Sequence, residues 1–213
     1  MPATYYNGTK LKKIYYNGST LKKMYLNNVL VFIGGELKYY GTATALSSAR
    51  GYLAATTVGG YALFGGKSNV VDAYDTSLTR STPKVLSSAR GYLAATTVGG
   101  HALFGGGLGS GSSSGKSNVV DAYDTSLTRS KPPALSSARG YLAATTVGDY
   151  ALFGGGGSSN VVDAYDTSLT RSTPPVLSSA RGRLAATTVG DYALFGGGSG
   201  SGSSNVVDVY QAL

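Results

Sequence analysis

Residues 46–66 read LSSARGYLAATTVGGYALFGG, and nearly the same string returns from Leu86, Leu135 and Leu177. The complete units cover residues 46–85, 86–134 and 135–176, or 40, 49 and 42 residues, and a shorter fourth covers 177–213. Units of this length fit a four-stranded propeller blade and are too long for a leucine-rich repeat, while their Gly and Thr content excludes a helical solenoid. Inside the first unit, alternation and turn residues predict strands over 53–58 (LAATTV), 61–64 (YALF), 69–74 (NVVDAY) and from 78 to about 81. Gly59-Gly60 turns the chain between the first two, as Gly148-Asp149 and Gly190-Asp191 do later.

Composition agrees with this all-β reading. Thirty-two Gly and six Pro in 213 residues are too many for a helical bundle, while 42% hydrophobic content is enough for a core. The absence of Cys removes disulfides, thiolate metal sites and thiol nucleophiles, and one His, His101, rules out a multi-histidine metal site in a single chain. The sequence therefore implies no cofactor and no metal. No apolar run approaches the ~18 residues of a membrane span, and the start, MPATYYNGTKLKK, has no apolar signal-peptide core. The net charge of +8 is uneven: residues 1–45 hold six Lys against Glu36 alone. We read this as Lys-rich solvated strands, with no nucleic acid partner and no membrane insertion.

The repeat resembles the kelch family. Kelch blades carry a strand ending in Gly-Gly, a loop, a strand ending in Tyr-Asp, and an Arg shortly before the first strand. Here these are Gly65-Gly66, Tyr74-Asp75 and Arg50, with counterparts in each later unit, except that Gln211 follows Tyr210. No unit carries the fourth-strand Trp common in that family. The resemblance implies a small propeller over residues 36–213. The last unit stops after NVVDVYQAL, so residues 37–42 are expected to pair with 205–210 as its outer strand, closing a ring of four blades. An eight-bladed ring shared by two chains, a homo-oligomer, is the alternative.

Residues 1–35 follow a shorter rule. Tyr5-Tyr6-Asn7-Gly8, Tyr15-Tyr16-Asn17-Gly18 and Tyr25-Leu26-Asn27-Asn28 recur every ten residues, which predicts a β-meander with Asn-Gly turns. This start, with its Val-Leu-Val-Phe strand at 29–32, looks like the beginnings of tail-tip and fibre proteins of phages infecting Gram-positive bacteria. That resemblance implies a virion or extracellular setting, with residues 1–35 docking to tail or baseplate proteins.

Several patterns with chemical potential are weaker. GSSSGKS at 111–117 has three residues between its glycines where a phosphate loop needs four, and a strand follows where a helix should. His101 fills the slot of Tyr61, Tyr150 and Tyr192 and reads as a packing variant. Arg50, Arg90, Arg139 and Arg181 recur with Asp72-type carboxylates, either to bind an anion as a ring or to tie strands together. Variation gathers elsewhere. The loop after the diglycine holds 2, 11, 4 and 7 residues in the four units, and the slot after Arg-Gly holds Tyr52, Tyr92, Tyr141 and then Arg183. In an up-and-down blade these loops and the inter-blade connectors share one face. The candidate ligand-binding residues are therefore Tyr52, Tyr92, Tyr141 and Arg183, with the four Arg-Gly arginines. The expected function is a non-enzymatic binding module that contacts a host-surface receptor or glycan. The alternatives are a cytoplasmic kelch-type protein-interaction module and a galactose-oxidase-like enzyme, the latter disfavoured because its copper ligands are missing.

Overall fold

The four repeats form four antiparallel sheets in a computed structural model, which describes residues 39–109 and 115–212, and the backbone of six short strands between residues 5 and 33. Every element among these residues is a strand. Sheet I contains Ala54–Val58, Tyr61–Gly65, Val71–Tyr74 and Arg80–Ser81 in spatial sequence. Sheet II repeats it with Ala94–Val98, His101–Gly105, Val120–Tyr123 and Arg129–Ser130. Sheet III uses Ala143–Val147, Tyr150–Gly154, Val162–Tyr165 and Arg171–Ser172. Sheet IV has three strands, Ala185–Val189, Tyr192–Gly196 and Val207–Gln211.

Local chemistry explains these bounds. Val58 pairs with Tyr61, so Gly59-Gly60 makes the expected two-residue turn. The fourth strand is shorter than its sequence suggests. The Asp75 carboxylate accepts the Ser77 and Thr79 amides, both at 2.9 Å, and Leu78 takes a left-handed φ of 62° or so in each complete unit (61°, 62° and 63° at Leu78, Leu127 and Leu169). An Asp side chain that satisfies nearby amides holds a turn where a strand would otherwise begin.

Adjacent sheets pack by a repeated knob and hole. A Cβ on Gly65 would lie 3.1 Å from the Phe104 ring, on Gly105 2.7 Å from Phe153, and on Gly154 2.6 Å from Phe195. Each Phe of a following sheet thus occupies space that only glycine leaves on the preceding one, and all three rings are fully buried. The first strands of successive sheets are joined by Thr hydroxyls: Thr56 to Thr97 and Thr96 to Thr146 at 2.7 Å, Thr145 to Thr188 at 2.8 Å. In each pair the second Thr also bonds a carbonyl of the preceding strand (Thr57, Thr97 or Thr146).

The expected closing strand is not formed over the described part of residues 37–42. Residues 37–38 lie outside the described residues; 39–42 carry no strand, and Tyr39 and Tyr40 are exposed. Sheet IV ends at Val207–Gln211. One reason is local: residue 44 already acts as a connector, its carbonyl accepting the Tyr74 hydroxyl at 2.7 Å as Lys84 accepts that of Tyr123.

The chain divides into two compact units, Met1–Thr42 and Ala43–Leu213. In the first unit, Tyr5–Tyr6 pairs with Thr9–Lys10, Tyr15–Tyr16 with Ser19–Thr20, and Lys23–Leu26 with Val29–Ile33. The predicted Asn-Gly turns at 7–8 and 17–18, and residues 27–28 of the third copy, lie outside the described residues. Among the described residues these strands form three separate two-stranded sheets.

Candidate functional site

The Arg before each first strand is buried. Arg50, Arg90, Arg139 and Arg181 have side chains at most 2% exposed, and each pairs with the third-strand Asp of its own unit: Asp72, Asp121 (2.8 Å), Asp163 and Asp208 (2.5 Å). A second Arg approaches three of these carboxylates: Arg80 at 3.6 Å, Arg129 at 2.6 Å and Arg171 at 2.9 Å. Connector amides of Ser47, Ser87, Ser136 and Ser178 complete the carboxylate shells. The guanidiniums also donate to second-strand carbonyls, Arg90 to Phe104 and Arg181 to Phe195, both at 3.0 Å. Buried and bonded in this way, the four arginines tie together the strands of their own units, the second of the two roles that the sequence left open for them. Burial pushes the Asp121 carboxyl up, but Arg90, Arg129 and Ser87 together outweigh it and hold it below the usual carboxylate range.

The slot after each Arg-Gly pair is different. Tyr52, Tyr92, Tyr141 and Arg183 all have left-handed backbone, with φ of 57°, 54°, 58° and 55°. An L side chain in that region costs about 1–2 kcal/mol, and the surroundings impose it four times over. The Tyr92 amide donates to the Tyr52 carbonyl (3.2 Å), Tyr141 to Tyr92 (2.9 Å), and Arg183 to Tyr141 (2.8 Å). This inter-unit ladder stacks the side chains. Tyr52 and Tyr92 rings lie 4.2 Å apart, Tyr92 and Tyr141 4.4 Å, and the Arg183 guanidinium sits 4.7 Å above Tyr141. Lys67 Nζ lies 5.6 Å from the Tyr52 ring at the other end. Three aromatic rings are thus capped by two cations, each contact worth roughly 0.5–1 kcal/mol at an exposed site. The adjacent Tyr52 hydroxyl, then burial and the neighbouring phenols, push the Tyr92 hydroxyl up to about 12.

The structure brings the four expected slots together, with Tyr52 55% exposed and Arg183 exposed. The variable loops adjoin them: Leu108–Gly109 pairs with Arg90–Gly91, and Gly182 bridges Ser199. The connectors join the same loops, Leu86 donating to the Asn69 carbonyl and Leu135 to that of Asn118. Lys67 was missed from sequence; its signal is the two-residue loop of the first unit, which places a Lys directly after the diglycine.

The remaining candidates stay apart from this row. His101 pairs with Val98 as Tyr150 does with Val147, and its buried Nδ1 has no partner. Residues 110–114 of the phosphate-loop look-alike lie outside the described residues. Among the described residues no cluster of three His, Cys, Asp or Glu side chains is placed to hold a metal, and no helix is long and apolar enough to cross a membrane. A groove of about 330 Å³ lined by Tyr150, Pro174, Tyr210 and Ala212, among others, includes none of the ladder residues. No protein-family model matches the chain, and no curated protein does so either.

Proposed function

We propose that the four sheets are blades of a kelch-like propeller serving as a non-enzymatic binding module, and that the Tyr52–Tyr92–Tyr141–Arg183 row is its contact surface. The observation that carries this reading is the row itself: four side chains held at equivalent strained positions and stacked beside the most variable loops, with Tyr52 and Arg183 exposed and Tyr92 and Tyr141 half-buried between them. Strain retained at every copy marks positions that the surrounding fold over-determines. Tyr and Arg are the residue types that dominate contact energetics, and the apolar face of Tyr suits a sugar ring. The ligand class we favour is a host-surface glycan, and the setting a phage or phage-like tail, with residues 1–35 as the attachment segment. The Tyr-Tyr-Asn-Gly repeat supports that setting.

A glycan array probed with the purified chain tests the reading. Arg183→Ala and Tyr52→Ala should each weaken binding to any glycan retained, by roughly 1–2 kcal/mol or five- to thirtyfold, while melting within a few degrees of the parent. An array with no glycan above background, or binding unchanged in both variants, would overturn it.

A further inference from the structure

The interface that joins sheets I to II, II to III and III to IV leaves one of its halves unfilled at each end of the array. On the outer face of sheet IV, a Cβ on Gly196 would meet nothing nearer than its own sheet's Val207 at 3.6 Å, where Gly65, Gly105 and Gly154 each receive a Phe ring. Gly190 meets nothing within 4 Å, whereas Gly59 and Gly99 are filled by Thr125 and Thr167. Val189 is 63% exposed, against 3% for its counterparts Val98 and Val147; Val207 and Val209 are exposed beside it.

Sheet I carries the opposite half. Phe64, half-buried where Phe104, Phe153 and Phe195 are fully buried, is the knob for which Gly196 is the hole. Thr76, the counterpart of Thr125 and Thr167, is exposed and matches Gly190. The Thr series also breaks at both ends. Thr187 should pair with a second-position Thr as Thr56, Thr96 and Thr145 do, and Thr57 is that residue. Among the described residues neither hydroxyl has a partner, and both residues are exposed. Knob, hole and hydroxyl are thus each present and each unused.

We infer that these ends are completed by a second copy of this chain, with sheet I of one copy seated on sheet IV of the other. The occupant is specified by the surface itself, because the same sequence already fills the same face three times within the chain. The arrangement is head-to-tail, and two copies satisfy both ends of each other if the ring closes. It does not depend on the glycan reading: the assembly can be measured without any ligand.

Three measurements on the full chain test it. Light scattering during size exclusion should give twice the 21.7 kDa chain mass. Gly196→Leu, which fills the hole at a position with open space and without positive φ, should return the monomer with an unchanged circular dichroism spectrum. Because the chain has no Cys, a Thr57→Cys chain mixed with a Thr187→Cys chain should form a disulfide-linked pair on mild oxidation. A monomeric parent with no cross-link between the two single variants would overturn the inference. So would a Thr57→Cys/Thr187→Cys double variant that oxidises only within one chain, since the ends would then close on themselves.

Discussion

Position 183 separates strain from contact. Arg183 combines a left-handed backbone with a guanidinium stacked on Tyr141. Alanine there removes the stacking and keeps the strain; glycine removes both. Arg183→Gly should therefore be more stable than Arg183→Ala by about 1 kcal/mol, a difference of roughly 2–4 °C in melting temperature for a chain of this size. Equal melting of the two variants would show that the slot is not strained. His101→Tyr offers a control on the same strand set, because Tyr150 already occupies that position with identical pairing; its melting temperature should match the parent. The single Tyr-to-Arg exchange among four copies made the slot legible from sequence, since a guanidinium marks an open position. The left-handed backbone was not legible. Tyr and Arg are ordinary strand residues, and the stacked partners lie 40 or more residues apart, so no local periodicity announces them.

Each complete sheet is locked by a carboxylate with two arginines. Copying an Arg and an Asp into every unit was compatible with an anion-binding ring and with internal ties, and only burial decided between them. Repeat units, the first two strands and the turns between them could be read from alternation; the short fourth strand could not, because the Asp75 turn competes with it through side-chain hydrogen bonds. Removing the Asp121 carboxylate leaves Arg90 buried without compensation, so Asp121→Ala should cost about 3–5 kcal/mol at neutral pH. Asp208→Ala should cost less, because that carboxylate is partly exposed and meets one Arg rather than two. The pH dependence follows from the lowered Asp121 pKa. A carboxyl depressed on folding stabilises fully above its unfolded value of about 3.9 and loses that contribution as pH falls through the folded value. Thermal melts should thus hold steady from neutrality to about pH 4 and drop below it. A parent whose melting temperature declined between pH 7 and 5 would place the acid-sensitive group elsewhere.

At the scale of the whole molecule, stability in a repeat array is approximately a sum over units and the interfaces between neighbours. Among the described residues, sheets II and III have a neighbouring sheet on both faces, whereas I and IV have one each. Periodicity in the sequence shows that knobs and holes recur; it cannot show whether the last pair meets within one chain or between two, because both use the same residues. Amide exchange can. The first strands of all four sheets share the sequence AATTV, so their intrinsic exchange chemistry is nearly equal and differences report protection alone. If a second copy covers the ends, Ala185–Val189 and Ala54–Val58 should exchange about as slowly as Ala143–Val147, when residues are resolved by nuclear magnetic resonance. Gly196→Leu should then accelerate exchange in those two end strands, while Ala143–Val147, held between sheets II and IV in either state, stays protected. End strands that exchange rapidly in the parent and do not respond to Gly196→Leu would mean that the array stands open, with its exposed Val189, Val207 and Val209 facing solvent.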